Sequence, residues 1–207
     1  MATAVKICGI TRGEDAVAAA RYGARAIGFV FFRGSPRYVA TSQAGQIVRA
    51  LPPFVTPVGL FVDATAEEVR ATVSATGVQL LQFHGDETPG FCAQFGLPYV
   101  KAVRVRPEVD LLQYARDHRM ACGLLFDAFS KDAYGGTGSS FDWSLIPRNM
   151  PLPVILSGGL TPANVAQAVR AVRPWAVDVS SGVESAPGVK DAARIAAFMS
   201  GVRDADV

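Results

Sequence analysis

Short apolar runs alternate along the chain with longer segments in which apolar residues recur at helical spacing. Runs rich in Val, Ile, Leu and Phe stand at residues 5–10, 25–31, 57–62, 78–84, 99–103, 123–127, 153–157 and 176–179. They are close to continuously apolar, without the alternation of a half-exposed strand, as parallel strands covered on both faces require. Between them, residues 13–22, 42–50, 67–75, 88–95, 108–118 and 164–172 carry helical spacing, and a final helix is expected near 189–199. Thr65 marks the start of the third helix, and Thr161-Pro162 that of 164–172, where a first turn tolerates proline. The segment around 142–146 is the weakest helix in the set.

Strand and helix units recurring every roughly 25 residues, with no linker between them, predict an α/β fold: a closed (β/α)8 TIM barrel. Residues 1–207 then form a single domain with short loops. An open, doubly wound sheet is the alternative. It would leave two strand edges to protect, and the first unit lacks the GxGxxG turn of a dinucleotide fold.

Composition narrows the function. Half of the 207 residues are apolar, and 20 Lys and Arg against 18 Asp and Glu leave a net charge of +2. That surplus is too small to imply nucleic acid or a membrane surface as partner, so any phosphate must be bound locally. No apolar run approaches the roughly 18 residues of a membrane span, and residues 1–10 lack a signal-peptide core, so a cytoplasmic protein is expected. The three cysteines, Cys8, Cys92 and Cys122, are far apart and form no CxxC or Cys/His cluster, which argues against a disulfide framework and a zinc site.

The active site of such a barrel lies at the C-terminal ends of its strands. There the sequence sets Cys8 after strand one, Gln82 and His84 on strand four, Asp127 on strand six, and Asp178 with Ser180 on strand eight. Side chains alternate along a strand, so Lys6 shares a face with Cys8, Gln82 with His84, and Asp178 with Ser180. If that face is the lumen, Cys8, His84, Asp127 and Asp178 converge on one mouth. Each has an ordinary reading taken alone: a small core cysteine, a structural histidine, an aspartate capping a turn. Their joint occurrence at four strand ends is harder to explain that way.

Glycine adds a second signal. Gly158-Gly159 follow strand seven and Ser180-Ser181-Gly182 follow strand eight, where many barrels of this kind bind phosphate with backbone N–H groups. Neither turn contains Lys or Arg. Gly135-Gly136-Thr137-Gly138 reads as a mobile loop able to close over a ligand.

Ordered motifs then carry a family resemblance: Lys6-Ile7-Cys8-Gly9-Ile10-Thr11, Ser35-Pro36-Arg37-Tyr38, Val58-Gly59-Leu60-Phe61-Val62, His84-Gly85, Gly135-Gly136-Thr137-Gly138, Gly158-Gly159-Leu160 and Asp178-Val179-Ser180-Ser181-Gly182-Val183-Glu184. From Lys6 to about Asp191 the chain resembles the phosphoribosylanthranilate isomerases of tryptophan biosynthesis. Phe83 is a small departure, since the family more usually has Leu there. The resemblance implies an Amadori rearrangement of N-(5′-phosphoribosyl)anthranilate to 1-(2-carboxyphenylamino)-1-deoxyribulose 5-phosphate. It also implies Asp127 as the general acid that opens the ring and Cys8 as the base that removes the C2′ proton. A free thiol titrates near ~8.5, so a nearby cation or aligned N–H groups must lower it.

The substrate's anionic ends distribute the other roles. Gly158, Gly159, Ser180, Ser181 and Gly182 would hold the phosphate, and Arg37 would clamp the anthranilate carboxylate with its fork. His84 and Asp178 would position ribose hydroxyls or the anilino nitrogen. Both steps are proton transfers, so no metal or organic cofactor is implied, and the partner is a small phosphorylated substrate, bound by a monomer or homodimer. Two alternatives differ in class. Indole-3-glycerol-phosphate synthase shares the phosphate site but works through lysine and glutamate at strand ends, and a non-catalytic phosphosugar-binding module would be expected to lose the acid or the base.

Overall fold

The computed structural model describes residues 2–128 and 142–206. The expected mobile loop at Gly135–Gly138 lies outside them. Eight parallel strands close into one barrel in sequence order: β1 (Ala4–Ile7), β2 (Ala26–Val30), β3 (Thr56–Phe61), β4 (Leu80–Phe83), β5 (Tyr99–Val105), β6 (Gly123–Ala128), β7 (Val154–Leu156) and β8 (Ala176–Val179). Each coincides with an apolar run of the sequence. Around them lie α1 (Gly13–Arg21), α2 (Thr41–Ala50), α3 (Ala66–Thr76), α4 (Pro89–Ala93), α5 (Leu111–Asp117), α6 (Val165–Val172) and α7 (Ala192–Ala205).

Local chemistry fixes the helix ends. Thr65 accepts from the Glu68 N–H while Glu68 reaches back to the Thr65 N–H, a reciprocal cap, and α3 stops at Gly77 with φ +74°. Thr88 caps α4, with Pro89 in its first turn. The weak helix near 142–146 is only a 3₁₀ turn, Trp143–Leu145, capped by Asp142. The last helix begins later than its spacing implied. A two-stranded antiparallel hairpin, β9 (Glu184–Ala186) and β10 (Val189–Lys190), precedes it, and Asp191 caps α7 by accepting from the Ala193 and Arg194 N–H groups.

The main core is the shell between strands and helices, where Ile7, Phe29, Phe61, Phe83, Leu124, Phe126 and Phe198 are all but inaccessible. Phe83 points into this shell, against Phe61, Phe91, Phe95 and Tyr99. The family departure at this position therefore lies on the face of β4 opposite the lumen. Inside the barrel, Val100, Ala102 and Leu125 form a small apolar floor, and Cys8, Val30, Leu60 and Val62 pack nearer the mouth. Strand register does the rest: Lys6 stands opposite Asp178, Leu60 opposite Gln82, and Arg104 opposite Asp127.

Candidate active site

Cys8, Arg37, His84, Asp127, Asp178 and Ser180 line one hollow at the C-terminal mouth, together with Gln82, Ser157 and an apolar wall that includes Val30, Phe32, Leu60 and Val62. The expected convergence of four strand ends is what the barrel builds. A larger hollow at another face, bordered by Trp143, Arg173 and Trp175, holds no Cys, His or Glu among the described residues.

His84 sits between two partners. Its Nδ1 is 3.0 Å from Gln82 Nε2 and its Nε2 is 3.1 Å from Asp127 Oδ2. With the Gln82 amide donating to Nδ1, the ring proton is on Nε2 and is donated to the Asp127 carboxyl. In that arrangement Gln82, two residues before His84 on the same face, would set the tautomer that meets Asp127. The loop bearing His84 is held from outside the lumen. The Lys101 ammonium, 1% exposed, donates to the carbonyls of Phe83 and Gly85, which flank His84, at 3.3 and 2.6 Å, and to Glu87 Oε2 at 3.1 Å. Glu87 also accepts from the N–H groups of Asp63 and Gly85.

Cys8 departs from expectation in one respect. Burial pushes its thiol above the ordinary value, Lys6 pulls it down by charge and hydrogen bond, and Asp178 pushes it up again. The cation that the chemistry calls for is present, but in the resting site burial outweighs it.

Arg37 is also more committed than a ligand clamp alone would be. Its Nε and Nη2 donate to the two oxygens of Glu184, each at 2.8 Å, so one edge of the fork is filled from within. The hydrogens on Nη1 and the second on Nη2 form the other edge, still shaped for a carboxylate. Burial works against the charge on Glu184, but hydrogen bonding from Arg37 and the Lys190 ammonium outweigh it and hold its carboxyl below the usual range. Lys190 Nζ donates to Glu184 Oε1 at 2.7 Å and to the carbonyl and hydroxyl oxygens of Ser180 at 3.2 and 3.3 Å. A buried cation therefore lies against the Ser180 turn, although no Lys or Arg occurs in that turn's own sequence. Arg37→Ala is expected to raise KM clearly and Arg37→Lys to recover only part, because an ammonium cannot form the fork. Glu184→Gln is expected to raise KM several-fold with kcat little changed. Steady-state kinetics on the three variants checks both, and an unchanged KM in Glu184→Gln would mean that Arg37 orients itself.

The two glycine turns lie side by side after β7 and β8. Gly158 and Gly159 both have left-handed backbones, φ +82° and +62°, and Asn164 closes their turn by donating to the Gly159 carbonyl at 2.9 Å. Ser181 and Gly182 belong to a 3₁₀ turn, Ser181–Val183. A Cβ at Gly182 would fall on the Leu160 carbonyl oxygen, so the second turn presses directly on the backbone of the first. Gly158, Gly159, Ser181 and Gly182 are not among the residues lining the hollow; Ser180 and Ser157 are its nearest edge. Backbone cannot yield as a side-chain end can, so Gly182→Ala is expected to cost about 1–3 kcal/mol and to raise KM for a phosphorylated ligand. Urea denaturation beside kinetics tests this, and wild-type behaviour in both would separate the turns.

A closed barrel whose mouth gathers a thiol, an imidazole and two carboxyls, with two glycine-bearing turns beside it, has the architecture of a (β/α)8-barrel enzyme. The sequence profile of the family described as N-(5′-phosphoribosyl)anthranilate (PRA) isomerase matches residues 5–201, and the chain belongs to that family. The N-(5′-phosphoribosyl)anthranilate isomerase of Nitrosospira multiformis is 59% identical over 202 residues, covering 98% of this chain and 97% of that protein. The crystal structure of phosphoribosyl anthranilate isomerase from Thermotoga maritima superposes with a TM-score of 0.90 at 40% identity, covering 98% of this chain and 99% of that one. A phosphoribosyl anthranilate isomerase in complex with reduced 1-(o-carboxyphenylamino)-1-deoxyribulose 5-phosphate gives a TM-score of 0.87 at 40% identity, with 98% and 99% covered.

Proposed function

We propose that this chain isomerises N-(5′-phosphoribosyl)anthranilate to 1-(2-carboxyphenylamino)-1-deoxyribulose 5-phosphate in tryptophan biosynthesis, with Asp127 as acid and Cys8 as base. The observation that carries this reading is the pairing of His84 Nε2 with Asp127 Oδ2 across a hollow that Cys8 also lines. Asp127 in its acid form protonates the ring oxygen, the C1′–O bond breaks, and a cationic Schiff base forms. His84 then donates to the carboxylate left behind, a charge-assisted hydrogen bond that favours the proton's departure. Cys8 as thiolate takes the C2′ proton, and the electron pair neutralises the Schiff base to an enolamine. Protonation at C1′ and loss of the C2′ hydroxyl proton give the ketone. The count closes when Cys8 releases one proton and Asp127 regains one, so nothing is oxidised or reduced overall and no cofactor is required.

Arg37 is the counterpart of the anthranilate carboxylate, Asp178 and His84 of the ribose, and Gly158, Gly159, Ser180, Ser181 and Gly182 of the phosphate. Lys190, bound to Ser180, adds positive charge to the phosphate end. Indole-3-glycerol-phosphate synthase and a non-catalytic phosphosugar binder fit less well, because the thiol and carboxyl are both retained. No described helix is long and apolar enough to cross a membrane, and the exposed free thiol of Cys122 suits a reducing cytoplasm. Monomers generated from the dimeric phosphoribosylanthranilate isomerase of Thermotoga maritima are 38% identical to this chain, so a homodimer is set against a monomer by sedimentation. Complementation of a tryptophan auxotroph that lacks this isomerase tests the reading. Growth supports it, and no growth despite folded protein in the cells counts against it.

A further inference from the structure

We propose that Lys6 is a positioning residue for the base, an ammonium held beside Cys8 by Asp178 to give the thiolate a fixed counter-charge. This rests on Cys8 being the base of the isomerase proposed above. The geometry comes from three strands. Alternation along β1 turns Lys6 and Cys8 to the same lumenal face, and register sets Lys6 opposite Asp178 of β8, where Nζ lies 2.8 Å from Oδ1. Ser157 after β7 donates to the other Asp178 oxygen at 3.4 Å. On the remaining side, β2 contributes Gly28, and the missing side chain is what admits the pair: a Cβ there would stand 2.8 Å from Cys8 Sγ and 3.0 Å from Lys6 Nζ. Sulfur and ammonium thus crowd a single notch.

Burial works against the charge on Lys6, but Asp178 and Cys8 outweigh it and hold the ammonium above the ordinary lysine range. A permanent cation at this place favours a thiolate, and the Asp178 carboxylate opposes it. The other charged or titratable groups around Cys8 are Lys190 of β10 and, across the hollow, Arg37, His84 and Asp127. Lys190 is tied to Glu184, and its pull on the thiol is weaker than that of Lys6. A merely structural ion pair would neutralise a buried lysine and nothing more. It differs from the proposed role in one measurable way: removing either end of a structural pair disturbs the thiol alike, whereas here the two ends pull it in opposite directions.

The test is the pH dependence of Cys8 alkylation by iodoacetamide, followed by mass spectrometry of the peptide that contains it, in the full-length protein. Lys6→Met is expected to move the inflection to higher pH by about one, so that alkylation at a fixed pH below it slows about tenfold with the falling thiolate fraction. Gly28→Ala, which alters no charge but fills the notch, is expected to move it the same way. Asp178→Asn is expected to move it to lower pH. Opposite shifts in Lys6→Met and Asp178→Asn support the role; an unmoved inflection, or shifts in one direction, overturns it. If Lys6→Met does not fold, Gly28→Ala against Asp178→Asn decides by the same signs. Alkylation does not depend on turnover, so failure of the isomerase reading would appear separately, as a folded wild type without activity.

Discussion

Cys8→Ser and Asp127→Asn are each expected to lower kcat by about 10²–10⁴-fold while KM stays within a few-fold of wild type, the contribution of a single general acid or base. The split follows from the layout of the hollow. In the proposed reading, phosphate and carboxylate would be met by the glycine turns and by Arg37, on other elements, so losing a proton-transfer group would leave those contacts standing. Serine cannot form an anion in the accessible pH range, and asparagine keeps the hydrogen bond to His84 without a proton to give. Cys92→Ala and Cys122→Ala serve as controls, since neither thiol lines the hollow. A loss under about tenfold in either catalytic variant would remove that residue from its role.

Lys101→Met is expected to be strongly destabilising, by about 3–5 kcal/mol, the range for removing one partner of a buried ion pair. Glu87 would keep the N–H groups of Asp63 and Gly85 but lose its counter-charge, and the carbonyls flanking His84 would lose their donor. A lower urea midpoint with an unchanged m-value is the readout. Since the carbonyls on either side of His84 move with that loop, kcat should fall further than folding loss alone explains. An unfolding free energy within about 1 kcal/mol of wild type would show the network to be dispensable, because surface changes rarely exceed ~0.5 kcal/mol.

The strands were legible because a parallel strand buried on both faces is apolar over most of its length, and the same logic marks Cys8, His84, Asp127 and Asp178 as polar exceptions at strand ends. Lys6 was visible as a lumenal neighbour of Cys8, but only the closure of β8 onto β1 brings it to Asp178, a contact across most of the chain's length. Lys190 was hidden by a wrong helix start. Pro187-Gly188 is a turn signal, with Gly188 at φ +78°, and it closes a hairpin too short for periodicity to register, which stands directly before the helix that Asp191 caps. Glu184 stood inside a recognised motif, yet its grip on Arg37 joins the short strand β9 to a loop that the sequence sets far from it. The Lys101–Glu87 pair failed to register for a similar reason: a lysine within an apolar strand demands a counter-charge, and nothing local says that a loop glutamate supplies it.

The most direct measurement is conversion of N-(5′-phosphoribosyl)anthranilate by the purified chain, followed by NMR. Expected is loss of the ribose C2′ hydrogen signal and growth of a C1′ methylene beside a new ketone in the wild type, with almost no conversion by the Cys8→Ser/Asp127→Asn double variant. Unchanged substrate with folded wild-type protein, or equal conversion by the double variant, would contradict the assignment of acid and base at this barrel mouth.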